Sequence, residues 1–199
     1  MSSDTAPKKE NAHILKNLNE RELRTPDTSN LTDRLGSLFK GLKRAHGVFE
    51  ITGQKENGKY EGNVKTVQEP VTDVLWERHI NGEQGLGVIP INEQDCCWWG
   101  CIDIDIYPAP YDEIQSKVIE LGLPLIMVLS KSGGIHLFLF LRHNYAASLV
   151  QETLKIFAEA LGYGGCEIFP KQVCLKPGET GNWLNMPYFG DTRKMYGAL

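Results

Sequence analysis

Hydrophobic and polar positions change their rhythm at about residue 96. From Leu31 to Asp95 the apolar residues are scattered among Gly and Asn without a sustained period. Within this stretch "QKENGKYEGN" reads as a turn or loop and "GLGVIPIN" as a short strand. "PVTDVLWERHINGE" predicts a short helix opened by Thr72 or Asp73 and closed near Gly82. Beyond residue 96 the pattern is regular. "GCIDIDIY" alternates and predicts a strand; "PYDEIQSKVIELGL" predicts a helix with Ile114, Val118 and Leu121 on one stripe and Gly122 as its stop. "PLIMVLS" is a continuous apolar run, "KSGG" a tight turn and "IHLFLFLR" the returning strand of a hairpin. A helix follows in "NYAASLVQETLKIFAEALGYGG", with Leu149, Thr153, Phe157 and Ala160 in register, then a short strand in "CEIFP". "KQVCLKPGETGNWLNMPYFG" reads as a loop with short strands.

This order, β-α-β-β-α-β, is the ferredoxin-like (RRM-like) split βαβ unit of an α+β fold. Its first and third strands lie side by side at the centre, and the fourth flanks the first. Both helices cover one face of the sheet and leave the other open. Residues 1–33, polar and with one short helix around Ile14–Leu23, read as a flexible leader; 34–95 form a smaller mixed lobe, and 96–199 the regular one. The two lobes together make one domain.

Composition narrows the setting. The chain has 199 residues, 41% of them hydrophobic, and a net charge of −4, which is soluble and globular in character and unlike a nucleic-acid coat. No apolar run approaches the ~20 residues of a membrane span, and the start lacks the apolar core of a signal peptide. Five cysteines without CxxC spacing read as reduced, structural thiols in a cytoplasmic protein; Cys101 and Cys166 fall in the expected strands. Basic residues gather in "FKGLKRAHG" (Lys40, Lys43, Arg44, His46) and at Lys171 and Lys176, a pattern that solvated surface also produces.

The aspartates inside the apolar strand carry the chemistry. Residues two apart on a strand share a face about 7 Å apart, so Asp103 and Asp105 lie on the open side while Ile102, Ile104 and Ile106 pack under the helices. His136 stands on the neighbouring third strand, between Ile135 and Leu137, and Glu167 opens the fourth on the opposite flank. Two carboxylates ~5 Å apart repel by roughly 3 kcal/mol at an effective dielectric of 20. A divalent cation removes that repulsion, and hard oxygen ligands select Mg²⁺ or Mn²⁺ over zinc. Two such ions about 4 Å apart serve phosphoryl transfer, activating the attacking hydroxyl and stabilising the leaving oxygen. In "SKSGGIH", Ser130, Ser132, Gly133 and Gly134 suit an anion-binding nest beside Lys131 and His136, although an ordinary Gly-Gly hairpin has the same composition.

Apolar-D-x-D on a strand, S-x-x-x-H on a hairpin and an apolar-flanked acid together resemble the archaeo-eukaryotic primase superfamily, the primase-polymerases. Within it the chain looks most like the primase-polymerase domain of TOTE conflict systems and related phage and CRISPR-associated proteins. "LWERHINGEQGLGVIPI", "EIFPKQ" and "GNWLNMP" have counterparts there, and "LFKG" matches the start of that domain. The resemblance implies metal ligation by Asp103, Asp105 and Glu167, with two Mg²⁺ or Mn²⁺ ions as cofactors. It implies triphosphate contact by Ser132 and His136, with Lys131 beside them, and nucleotide or template contact by Lys171 and Asn182. A first lobe packed over the open sheet face is also implied, as are single-stranded DNA template and primer, nucleoside triphosphates, a partner or fused helicase, and a bacterial, phage-infected or mobile-element setting. Two departures stand out. Related domains often carry cysteine or histidine zinc ligands in the first lobe, and here no cysteine precedes Cys96. Leu42 also replaces an expected basic residue beside Lys43 and Arg44.

Two other readings use the same residues. An RNA-recognition-type binding module would stack bases on Phe138, Phe140 and Phe169, which share the acid-bearing face. A metal-dependent nuclease or phosphohydrolase would use the acids alone.

Overall fold

The structure is a computed structural model and describes residues 28–54, 60–130 and 133–191. The helix expected at Ile14–Leu23, and Lys131 and Ser132, lie outside the described residues. The elements are α1 (Thr28–Leu38), β1 (His46–Gln54), β2 (Tyr60–Val67), α2 (Asp73–Ile80), β3 (Gly85–Val88), β4 (Cys96–Ile104), α3 (Tyr111–Glu120), β5 (Ile126–Leu129), β6 (Ile135–Ala146), α4 (Ala147–Leu161), β7 (Glu167–Phe169) and β8 (Leu184–Asn185). They build two four-stranded sheets, ordered β2-β1-β3-β8 and β5-β6-β4-β7. Thr32–Leu199 form one compact unit.

The second sheet is the expected unit. β4 and β6 are central and antiparallel, β7 flanks β4, and β5 flanks β6. Alternation puts Ile102 and Ile104 on the helix side, where they form one core with Ile114 and Val118 of α3 and Val150, Leu154 and Ala158 of α4. Helix α4 approaches the sheet closely at Gly100, where a Cβ would stand 2.6 Å from Leu154 Cδ1 and 2.8 Å from Val150 Cγ1. That approach decides which stripe of α4 faces inward: Ala147, Val150, Leu154, Ala158 and Leu161 are buried. The stripe expected from periodicity is corrected, since Leu149 and Ala160 are exposed and Thr153 and Phe157 only half-buried. Strand β4 also ends sooner than the alternation does. Asp105 and Ile106 follow its last residue, and Ile106 is 42% exposed rather than under the helices. Leu121 is the C-cap of α3 and exposed, and Cys166 lies one residue before β7.

The first sheet closes on a segment from the far end of the chain: β8 pairs with β3. Buried on its inner side are Val48, Leu86 and Val88. Thr72 caps α2 as expected, its hydroxyl accepting from the Leu75 N–H. The first lobe covers the open face of the second sheet through Phe39, whose ring meets Trp99, Phe138 and Phe140 edge-on at 5.2–5.3 Å. The Trp99 indole N–H donates to the Lys40 carbonyl at 2.9 Å across the same junction.

Buried His79 ties α2 to both chain segments beside it. Its Nδ1 accepts from the Leu86 N–H at 2.9 Å and its Nε2 donates to the Pro187 carbonyl at 2.8 Å, which fixes a neutral tautomer. His79→Leu leaves that N–H and carbonyl without a partner in the interior. A loss of about 2–4 kcal/mol is expected, read as a lower urea midpoint at unchanged slope. No helix among the described residues is long and apolar enough to cross a membrane.

Candidate active site

Cross-strand register assembles the site. Asp103 on β4 lies opposite His136 on β6 and, on its other side, opposite Glu167 on β7. Directly opposed residues of antiparallel strands share a face, so an imidazole and two carboxylates stand in one row. The row needs no long-range coincidence, because it follows from the pairing that also aligns Ile102 with Leu137 and Ile168 on the core side. His136 Nε2 is 3.4 Å from Asp103 Oδ1, with both side chains largely buried. The His136 ring meets Phe138 edge-on at 5.7 Å, which holds the imidazole upright.

Asp103 Oδ1 is buried and accepts no hydrogen bond. A buried carboxylate oxygen without a donor is costly. Its field reaches the neighbouring thiols: Cys101 is raised well above the ordinary thiol range, by burial first and Asp103 second. Cys166 is raised by burial, then by Asp103 and Asp105.

The remaining acids are engaged by neighbours. Asp105, just past the strand, accepts from the Tyr107 hydroxyl at 2.8 Å. Glu167 is exposed and paired with Lys171 Nζ at 2.7 Å, and the same ammonium stands 5.1 Å over the Phe169 ring. Among the described residues, no three His, Cys, Asp or Glu side chains converge tightly enough to hold an ion as they stand. The donor set nonetheless fits a hard divalent cation, because the orphaned Asp103 oxygen and the Asp105 and Glu167 carboxylates offer oxygens alone.

The hairpin turn is built tightly beside this row. A Cβ on Gly134 would stand 2.7 Å from the Ile104 carbonyl oxygen and 3.0 Å from Asp105 Oδ1, so the turn's backbone presses on the aspartate segment. The Gly134 N–H donates to Ser130 Oγ at 2.9 Å and the Gly133 N–H to the Ser130 carbonyl. Both amides therefore serve the turn itself. Tyr111 at the start of α3 donates to the Gly133 carbonyl at 2.6 Å and fastens the turn from outside.

On the other flank, Asn182 is held by Gln172, whose Oε1 accepts from the Asn182 N–H at 2.9 Å and whose Nε2 donates to Asn182 Oδ1. Sequence reasoning missed Tyr107, Tyr111 and Gln172. Their only signal was position: two tyrosines just after D-x-D, and a glutamine next to the lysine of "FPKQ". A cleft of about 850 Å³ opens elsewhere, at the other end of β4, beside Lys40, Lys43, Trp98 and Asn144. No member of the acid row lines it.

The chain matches the archaeo-eukaryotic primase domain of TOTE conflict systems over residues 45–197. It belongs to this family. None of the curated proteins matches it. At the family level it is a primase-polymerase-type domain, and the matched span contains both sheets and the whole acid row. The primase domain thus keeps its acids on the sheet face that the first lobe partly roofs.

Proposed function

We propose that this primase domain is a template-directed nucleotidyltransferase acting on nucleoside triphosphates, with single-stranded DNA as template and primer. The observation that carries the reading is the register row of His136, Asp103 and Glu167, with the unsatisfied Asp103 oxygen at its centre. Asp103, Asp105 and Glu167 would hold two divalent ions, Mg²⁺ or Mn²⁺, which when bound offset charge on the triphosphate and lower the pKa of a coordinated hydroxyl.

The chain's own groups do the rest. His136, held against Phe138, donates Nε2–H toward a phosphate oxygen; the Gly133–Gly134 turn stands beside Asp105, and Lys131 and Ser132, next to it in sequence, are proposed as further phosphate contacts. Lys171 leaves Glu167 for the nucleotide when the carboxylate takes up its ligand role, and Asn182 presents its amide on the same flank. A primer 3′-hydroxyl then attacks the α-phosphorus, the bond to the bridging oxygen breaks, and pyrophosphate leaves.

The base-stacking alternative loses support from the aromatic junction. Phe138 and Phe169 are buried, and half-buried Phe140 stacks on Phe138 and meets Phe39, so the rings are engaged with one another instead of presented together to bases. The test uses primed template, labelled nucleotides and Mn²⁺ with the wild type and with Asp103→Ala/Asp105→Ala. Product from the wild type alone is expected; equal product from both overturns the reading. Strand shortening without added nucleotides would favour the nuclease alternative.

A further inference from the structure

Trp183 occupies a seat that glycine makes possible. Thr66, Gly47, Gly87 and Asn185 form one register row across the first sheet. A Cβ on Gly47 would stand 2.0 Å from Trp183 Cδ2, and one on Gly87 would stand 2.2 Å from Cε3. The indole therefore lies flat on the backbone of two strands. Its N–H donates to Thr66 Oγ1 at 3.2 Å, which fixes the ring's rotation.

The side chain is only half-buried, although its inner face rests on the sheet. Val64, on the same side of the edge strand β2, is 68% exposed, while its partner Phe49 on β1 is buried and Trp183 itself packs in part against the core, so solvent reaches this face at its β2 edge.

We propose that the outer face of Trp183 is a stacking platform for an unpaired base of single-stranded nucleic acid. Every base has a π-face, so an oriented indole beside cationic groups binds a strand with little regard to sequence. The cations are at hand. Arg44 donates to the Glu179 carbonyl, in the loop that leads to Trp183. Lys171 lies just ahead of Gln172, which holds Asn182, the residue before the platform. The platform rests on the proposed function only in taking nucleic acid as ligand; it does not require that nucleotides be joined.

Fluorescein-labelled oligothymidylate, titrated by anisotropy at several salt concentrations, tests this. Trp183→Leu should weaken binding roughly tenfold or more, because stacking is lost. The slope of affinity against salt should not change, because no phosphate contact is removed. Trp183→Phe should keep most of the affinity. Wild-type protein crosslinked to an oligonucleotide carrying 5-iodouracil should give an adduct at Trp183, which decides the matter even where Trp183→Leu folds poorly. Unchanged affinity of a folded Trp183→Leu protein, no binding by the wild type, or crosslinks confined to other residues would overturn the platform. Trp183-dependent binding without nucleotide incorporation would leave the platform standing and remove the proposed function. Incorporation with Trp183-independent binding would do the reverse.

Discussion

Asp103→Asn should lower nucleotide incorporation roughly a thousandfold while leaving the melting temperature unchanged or higher. The activity loss follows from charge: an amide cannot hold a divalent cation as a carboxylate does, and about 4 kcal/mol of transition-state stabilisation corresponds to that factor. The stability sign follows from burial. Asp103 Oδ1 is enclosed without a hydrogen bond, and the thiols of Cys101 and Cys166 already register its field. Neutralising the side chain removes a buried charge whose nearest partner, His136 Nε2 at 3.4 Å, makes no hydrogen bond to it, the usual sign at a functional site.

The measurements are single-nucleotide extension and a thermal melt, the latter with and without Mn²⁺. At a Mn²⁺ concentration of about 100 Kd, ion binding to the folded state adds ~2.7 kcal/mol, roughly 5–10 °C for a chain of this size. That rise should be present in the wild type and absent in Asp103→Asn. A marked fall in melting temperature without metal would instead make Asp103 a structural partner of His136, whose Nε2 is 3.4 Å away.

The acid row was legible because it depends on period and order, which are local properties. Alternation over Ile102–Asp105 assigned faces, and the βαββαβ order assigned neighbours, so His136, Asp103 and Glu167 could be set side by side from the chain alone. What the side chains then do was not legible. The Glu167–Lys171 pair, the Tyr107–Asp105 bond and the use of the Gly133 and Gly134 amides by Ser130 are matters of rotamer and turn geometry.

The first sheet shows a different kind of illegibility. Gly47, Gly62, Gly85 and Gly87 interrupt the apolar alternation of β1, β2 and β3 because aromatic rings fill the space above them. Trp183 lies on Gly47 and Gly87, and Phe49 lies against Gly62 and Gly85. For Gly47 and Gly87 the other half of the packing pair, Trp183, is thus written about 100 residues or more away in the sequence. Helix α4 presents a third case. It carries apolar residues on two stripes, and periodicity cannot choose between them. The choice falls to Gly100, whose missing side chain admits Val150 and Leu154.

Phe39→Ala should destabilise the folded protein by about 3–5 kcal/mol, the range for emptying a buried aromatic site. Against total stabilities of about 5–15 kcal/mol this is a large fraction, equivalent to roughly 10 °C in melting temperature. Phe39 is 4% exposed and stands at the junction of the two lobes, in contact with Trp76, Trp99, Phe138 and Phe140. The ring joins α2 of the first lobe to the second sheet. The ring also roofs the face that carries Asp103 two positions beyond Cys101, whose cross-strand partner is Phe138. Its loss should therefore reach activity through population of the folded state, not through the chemistry.

Urea unfolding gives the first reading, a lower midpoint. The second is a double-mutant cycle with Phe138→Ala, because edge-to-face pairs carry about 0.5–1.5 kcal/mol beyond their buried area. A coupling of that size places the junction's specificity in the Phe39–Phe138 pair, at 5.2 Å and 76°. Strict additivity would assign it to burial alone, and the first lobe would then be held by the area it covers and not by how its aromatic rings meet the sheet.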